Sequence, residues 1–189
     1  MRKILVAGST GAGKTTMARL IAERLAIPCY EMDAIAFAGP GWQENQNMVA
    51  DVSRISSDPS WIFDSFGYPQ VRDLLWSRAD TIVWLDYSRP VVMRRVLRRS
   101  AARTLFRRRI FGGNRETAAS WFSASHPAWW AWARYASRRA DIAARCADPG
   151  FAPLDVIRLT TPRAAAGWLA GLLPRGGGRS AAGPRRDPA

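Results

Sequence analysis

Short apolar runs alternate along this chain with longer stretches in which apolar residues return every three or four positions. Lys3–Ala7, carrying Ile4, Leu5, Val6 and Ala7, reads as a buried strand closed by Gly8, and Met17, Leu20, Ile21 and Leu25 then recur at helical spacing. The alternation predicts further strands at 28–33, 61–64, 81–86 and 154–159. Between them it predicts helices at 43–55, 69–76, 91–110, from Pro127 to about Cys146, and 163–173. Gly39-Pro40-Gly41 marks a loop, Pro90 opens the long fourth helix, Gly112-Gly113 ends it, and Asn114 is placed to cap the next. From Pro174 onward no apolar period survives, so 174–189 is expected to be a disordered tail. Five short apolar strands separated by helices make an α/β fold, a five-stranded parallel sheet with helices on both faces, in one domain spanning 1–173. Ligands of such sheets bind at the carboxyl ends of the strands.

The first strand runs directly into Gly8-Ser9-Thr10-Gly11-Ala12-Gly13-Lys14-Thr15, followed by Thr16, and this stretch fits the phosphate-binding pattern G-x-x-x-x-G-K-[ST] between a strand and a helix. Glycines let backbone N–H groups wrap a polyphosphate, and the helix N-terminus adds partial positive charge. Lys14 is placed to reach the outer phosphates, and Thr15 offers a hydroxyl to Mg²⁺. ATP with Mg²⁺ is the expected ligand. Three acids, Asp33, Asp64 and Asp86, end predicted strands at the same sheet edge. Asp64 or Asp86 would hold Mg²⁺, and Asp33 would orient an acceptor hydroxyl or a ribose.

Composition limits the alternatives. At 189 residues and 48% hydrophobic the chain can bury one core. The apolar run before Gly8 is too short for a signal peptide, and no stretch approaches a membrane span. Cys29 and Cys146 stand far apart and His126 is the only histidine, which argues against zinc, a disulfide framework or a serine-type triad. A soluble protein of the reducing cytoplasm is expected. The net charge of +13 is regional: 1–93 sums to −1, whereas 94–145 holds thirteen arginines against Glu116 and Asp141. Polyphosphate, nucleic acid or an acidic membrane surface could neutralise that block, or it could be a solvated face.

The phosphate loop, Asp33, the run Trp61-Ile62-Phe63-Asp64-Ser65-Phe66-Gly67-Tyr68, Trp84-Leu85-Asp86 followed by Arg95-x-x-x-Arg99, and Gly113-Asn114-Arg115-Glu116 together resemble the adenylate-kinase-related P-loop kinases. Within them the chain is most similar, over about 1–172, to the small bacterial proteins known as DNA topology modulation proteins. The resemblance implies a nucleotide-kinase-like P-loop fold with an arginine-rich lid at about 91–125. It places Asp64 near the metal, Arg95 and Arg99 against adenine and phosphates, and Thr160-Thr161-Pro162 in the backbone loop that reads adenine. Ser65-Phe66-Gly67-Tyr68 replaces the family's Gly-Phe-Pro-Arg, and no Thr-Gly-Asp-x-x-Arg follows the second strand. The arginines that grip AMP are therefore missing, which argues against AMP as acceptor.

Catalytic work is thus expected of Lys14, Asp33, Asp64, Arg95 and Arg99, with ATP also touched by Thr161. The expected function is γ-phosphoryl transfer from ATP to a small hydroxyl-bearing or nucleotide-like acceptor. A nucleic-acid-binding P-loop ATPase or polynucleotide-end kinase is the alternative, through the 94–145 arginines. Trp121, Phe122, Trp129, Trp130, Trp132 and Tyr135 remain to be placed. Trp129 and Trp132 share a helical face and suit core packing, base stacking among arginines is the sharper alternative, and a dimer surface is the third.

Overall fold

A computed structural model describes residues 1–39, 43–105, 109–110, 114–115, 127–151 and 153–172. In chain order the main elements are β1 (Lys3–Gly8), α1 (Lys14–Leu25), β2 (Cys29–Tyr30), α2 (Met32–Ala36), β3 (Phe37–Gly39), β4 (Gln43–Glu44), α3 (Met48–Ser57) and β5 (Trp61–Phe63). They continue with α4 (Arg72–Arg78), β6 (Thr81–Leu85), α5 (Arg89–Leu105), β7 (Arg109–Ile110), β8 (Asn114–Arg115), α6 (Pro127–Ala147), β9 (Asp155–Leu159) and α7 (Pro162–Gly171).

The five expected strands form one parallel sheet in the order β2-β5-β1-β6-β9. The chain builds outward from β1 on one side, returns, and continues on the other. The carboxyl end of β1 therefore lies at the point where the connections diverge, which is where such sheets open a crevice. Strand alternation sorts the core into two layers. Ile4, Val6, Val83 and Leu85 face Met17, Ile21 and Leu25 of α1, Val92 and Val96 of α5, and Leu169 of α7. Leu5, Ala7, Ile82 and Trp84 face Met32, Val52, Ile55, Trp76 and Ile142. Both faces of β1 and β6 are covered, so beyond Lys3 and Thr81 at their starts the two strands are continuously apolar rather than alternating.

Several element boundaries move from the expected ones for identifiable reasons. The second strand stops at Tyr30 and Asp33 sits instead in the first turn of the short α2, because the Asp64 carboxylate captures the Met32 N–H at 2.9 Å. Helix α3 begins at Met48 rather than at 43 because Asn45 organises the preceding turn: its Nδ2 donates to Ile35 O and to Asp51, and its Oδ1 accepts from Asn47 N. Helix α4 begins at Arg72, after a turn closed by Val71 N donating to Tyr68 O at 3.0 Å. Helix α5 ends at Leu105, and Arg109–Ile110 pairs antiparallel with Asn114–Arg115, so Asn114 is a strand residue and no helix cap.

The expected lid divides. Val92, Val96 and Ser100 are buried, so α5 up to Ser100 packs on the body of the protein. Residues 106–108, 111–113 and 116–126, with Trp121 and Phe122, lie outside the described residues, as do 173–189 with the expected tail. Core packing of Trp129 and Trp132 is overturned: they are 60% and 49% exposed. Helix α6 turns Ala131, Tyr135, Ile142 and Cys146 inward, four or seven positions apart, and the shared face of the two tryptophans is the outer one. Arg89 caps that face, its guanidinium 4.0 Å from the centre of the Trp132 ring.

Asp86, just past β6, anchors α6 to the sheet. Its carboxylate is almost wholly buried and accepts from Arg139 of α6 at 2.6 Å and from Arg158 of β9 at 2.6 Å. These bonds hold the Asp86 carboxyl below its ordinary range, outweighing the opposing effect of burial. A carboxyl with a depressed folded-state pKa stabilises the fold above its unfolded value, near pH 4, and that contribution fades as pH falls through the lower folded value. Asp86→Asn is therefore expected to lose about 2 kcal/mol at pH 7, from charge-assisted hydrogen bonds. The gap between variant and wild type in urea unfolding should narrow at pH 3.

Candidate active site

The loop 9–13 leaves β1 at its carboxyl end and delivers the chain into α1 at Lys14. Its shape needs glycine where φ is positive. Gly11 (φ 87°) lies under α5, and an added Cβ would come within 2.3 Å of Val96 Cγ2. Gly13 (φ 95°) precedes the helix in the left-handed conformation, so α1 begins with no side-chain cap and no acid in its first turn. Its uncapped N–H groups thus remain available to a polyanion at the positive end of the helix.

Lys14 Nζ donates to Ser9 O at 3.3 Å, which folds the side chain back over the loop. Burial lowers its pKa, Asp64 and Asp33 act in the opposite direction, and Arg138 and Arg99 add to the lowering. Four of the charges that converge on Lys14 thus come from α2, the end of β5, α5 and α6. A polyanion arriving here would join the two carboxylates in favouring the charged ammonium.

Thr15 Oγ1 donates to Asp64 Oδ2, while Asp64 Oδ1 accepts from Met32 N. Asp64 is buried, and burial raises its carboxyl pKa against the pull of Thr15, Met32 and Lys14. Asp33 is exposed at the same edge and accepts from Tyr68 Oη at 3.0 Å. Burial and the neighbouring Asp33 carboxylate push the Tyr68 phenol upward, so it remains a donor at neutral pH. The run 64–68 therefore serves both acids, Asp64 as a member and Asp33 through Tyr68. Tyr68 and Phe66 were visible in the sequence only as departures from a motif.

Arg95 reaches the loop itself, Nη1 donating to Ala12 O at 2.7 Å with its guanidinium over the Tyr87 ring. Tyr87 O accepts in turn from Tyr135 Oη of α6 at 2.9 Å, so loop, α5 and α6 are joined in one chain of contacts. Thr161 follows β9 at the same edge, but its hydroxyl caps α7 by accepting from Ala164 N at 3.1 Å. Asp86 does not join the Lys14 cluster as a metal-ligand candidate, since both of its oxygens are occupied by Arg139 and Arg158. Of the two acids expected to serve Mg²⁺, it is Asp64 that touches Thr15.

The residues present fit a nucleoside triphosphate and a divalent cation. The cradle has positive-φ glycines, uncapped helix amides and a lysine folded over it, and a hydroxyl paired with a carboxylate is an oxygen donor set suited to Mg²⁺. Among the described residues no helix is long and apolar enough to cross a membrane, and no group of three or more His, Cys, Asp or Glu is placed to hold a metal by itself.

Comparison with family models agrees on the loop and the segment that follows it. The family model "ATPase family associated with various cellular activities (AAA)" matches residues 4–64, from β1 to the carboxylate beside Thr15. No curated protein matches. Solved structures similar to this chain include a sugar kinase from Janibacter sp. HTCC2649, 18% identical, covering 90% of this chain and 93% of that one at a TM-score of 0.47. Shikimate kinase from Acinetobacter baumannii, solved with shikimate, is 17% identical over 90% and 89% at a TM-score of 0.49. A gluconokinase from Sinorhizobium meliloti 1021 is 18% identical over 89% and 91% at a TM-score of 0.44. The family-model match supports the P-loop part of the resemblance, and nothing in these comparisons supports its topology-modulation part. With the phosphate loop joining the central strand of a parallel sheet to the following helix, the fold is that of the P-loop NTPases.

Proposed function

We propose that this chain is an ATP-dependent phosphotransferase acting on a hydroxyl group of a small acceptor. The observation that carries the reading is the hydrogen bond from Thr15 to Asp64 beside Lys14, with the exposed Asp33 close enough to act on the same lysine. The loop amides and Lys14 would hold the triphosphate, and Thr15 with Asp64 would hold Mg²⁺. ATP supplies the phosphoryl group and the metal neutralises its charge. Asp33 would accept a hydrogen bond from the acceptor hydroxyl, and Tyr68 fixes the orientation of that carboxylate. Arg95 and Arg99 come from the helix that covers the loop and would add positive charge over the phosphates.

A second reading, a nucleic-acid-binding ATPase or polynucleotide-end kinase, is favoured by the exposed Trp129 and by Trp132, which lies exposed beside Arg89, since both can stack bases. A steep loss of oligonucleotide affinity with salt, with a log–log slope of about −0.7 per phosphate contact on single strands, separates it from the first.

ATP with Mg²⁺ at about a hundred times its Kd should stabilise the wild type by about 2.7 kcal/mol in thermal unfolding. Lys14→Ala should fold and lose most of that gain, and an unstabilised wild type would refute the nucleotide site. The two acids should separate in the same assay. Asp64→Asn is expected to lose the Mg²⁺-dependent part of the stabilisation. Asp33→Asn should retain it while acceptor-dependent ADP formation, screened on a panel of metabolites and oligonucleotides, falls by about 10²–10⁴-fold. Equal loss of ATP stabilisation in both variants would contradict this division.

A further inference from the structure

The acceptor side of the site holds more positive charge than a neutral hydroxyl compound would use. Phe66 lies two residues beyond Asp64 and is buried, and three guanidiniums surround its ring. The Cζ atoms of Arg72, Arg138 and Arg145 stand 4.4, 4.9 and 5.9 Å from the ring centre. Arg145 is neutralised by Asp73 at 2.6 Å. The other two are not: among the described residues, no ion pair joins Arg72 or Arg138 to a carboxylate. Arg72 donates from Nε to Gly67 O at 3.2 Å, and Asp141, one turn along α6 from Arg138, influences both guanidiniums without bonding either.

Both side chains are partly buried, and burial lowers the pKa of each guanidinium; Arg72 and Arg134 lower that of Arg138 further, and Arg145 that of Arg72. Guanidiniums crowded in this way are relieved by an incoming anion, and their planar forks match carboxylate or phosphate oxygens in pairs. The place is also the right one. Arg138 acts electrostatically on Lys14, as do Asp64 and Asp33, while Phe66 lies in the same five-residue run as Asp64 and the Tyr68 that holds Asp33. Helix α6 is fixed in this position one residue further on, by Arg139 on Asp86.

We propose that Arg72 and Arg138, gathered on Phe66, bind an anionic group of the acceptor, so that the substrate is a hydroxylated carboxylate or phosphate ester. This rests on the phosphotransferase reading and narrows it. Phe66 gives the guanidiniums a flat apolar support that keeps them in place when the site is empty. The anion would then be held at one end of the acceptor and its hydroxyl presented to Asp33 at the other.

The test is calorimetric titration of glycerol, glycerate and glycerol 3-phosphate into the full chain, with and without saturating ADP and Mg²⁺. Glycerate or glycerol 3-phosphate should bind at least about tenfold tighter than glycerol, and whichever gains more identifies the anion as carboxylate or phosphate. Arg138→Ala should abolish the preference while ADP affinity stays within about twofold, and Arg138→Lys should restore part of it. Arg72→Ala should act in the same direction. Equal binding of the three probes would overturn the proposal. So would an Arg138→Ala variant that loses ADP affinity as much as probe affinity, because the arginine would then serve the nucleotide. Failure of ADP itself to bind the wild type would refute the phosphotransferase reading instead, and the titration without nucleotide would still read the anion site.

Discussion

One buried carboxylate holds the site together. Asp64 ends the β5 strand, accepts from the Thr15 hydroxyl at the start of α1 and from the Met32 amide at the start of α2, and acts on Lys14. Removing a carboxylate from water is costly, and here two hydrogen bonds and a nearby ammonium offset part of that cost. Three segments distant in sequence are thereby fixed relative to one another at the carboxyl edge of the sheet. The position of Asp33 follows from it, since α2 begins where Asp64 takes the Met32 N–H.

The sheet and the loop were legible in the sequence because their signals are local. Apolar runs such as Ile4 to Ala7 and Thr81 to Leu85 pack on both faces, and the spacing of Gly8, Gly13 and Lys14 reflects a backbone shape that few other residues allow. What was not legible depended on partners far along the chain. Asp86 and Asp64 both follow apolar strands, and only tertiary structure shows one taken by Arg139 and Arg158 and the other set beside Thr15. Helical spacing grouped Trp129 with Trp132, but periodicity defines a face and not which way it turns.

The arginine-rich half reads differently once placed. Several of its described arginines have distinct tasks: Arg95 braces the loop, Arg139 anchors α6, and Arg145 pairs with Asp73. Net charge alone left the block open to polyphosphate, nucleic acid, an acidic membrane surface or a solvated face. The structure instead distributes it over several contacts, most of which neutralise or stack a guanidinium locally.

The sheet is open, and open sheets can recruit foreign strands at their margins. Here one margin is β2, a strand of only two residues, and the other is β9, which presents Asp155 and Arg158 outward with Arg158 tied to Asp86. A margin that short offers almost no ladder, and a charged one penalises apolar company. The Arg158–Asp86 ion pair therefore also protects the protein from self-association through its sheet, so weakening it would raise the tendency to aggregate at concentrations where the wild type stays dispersed.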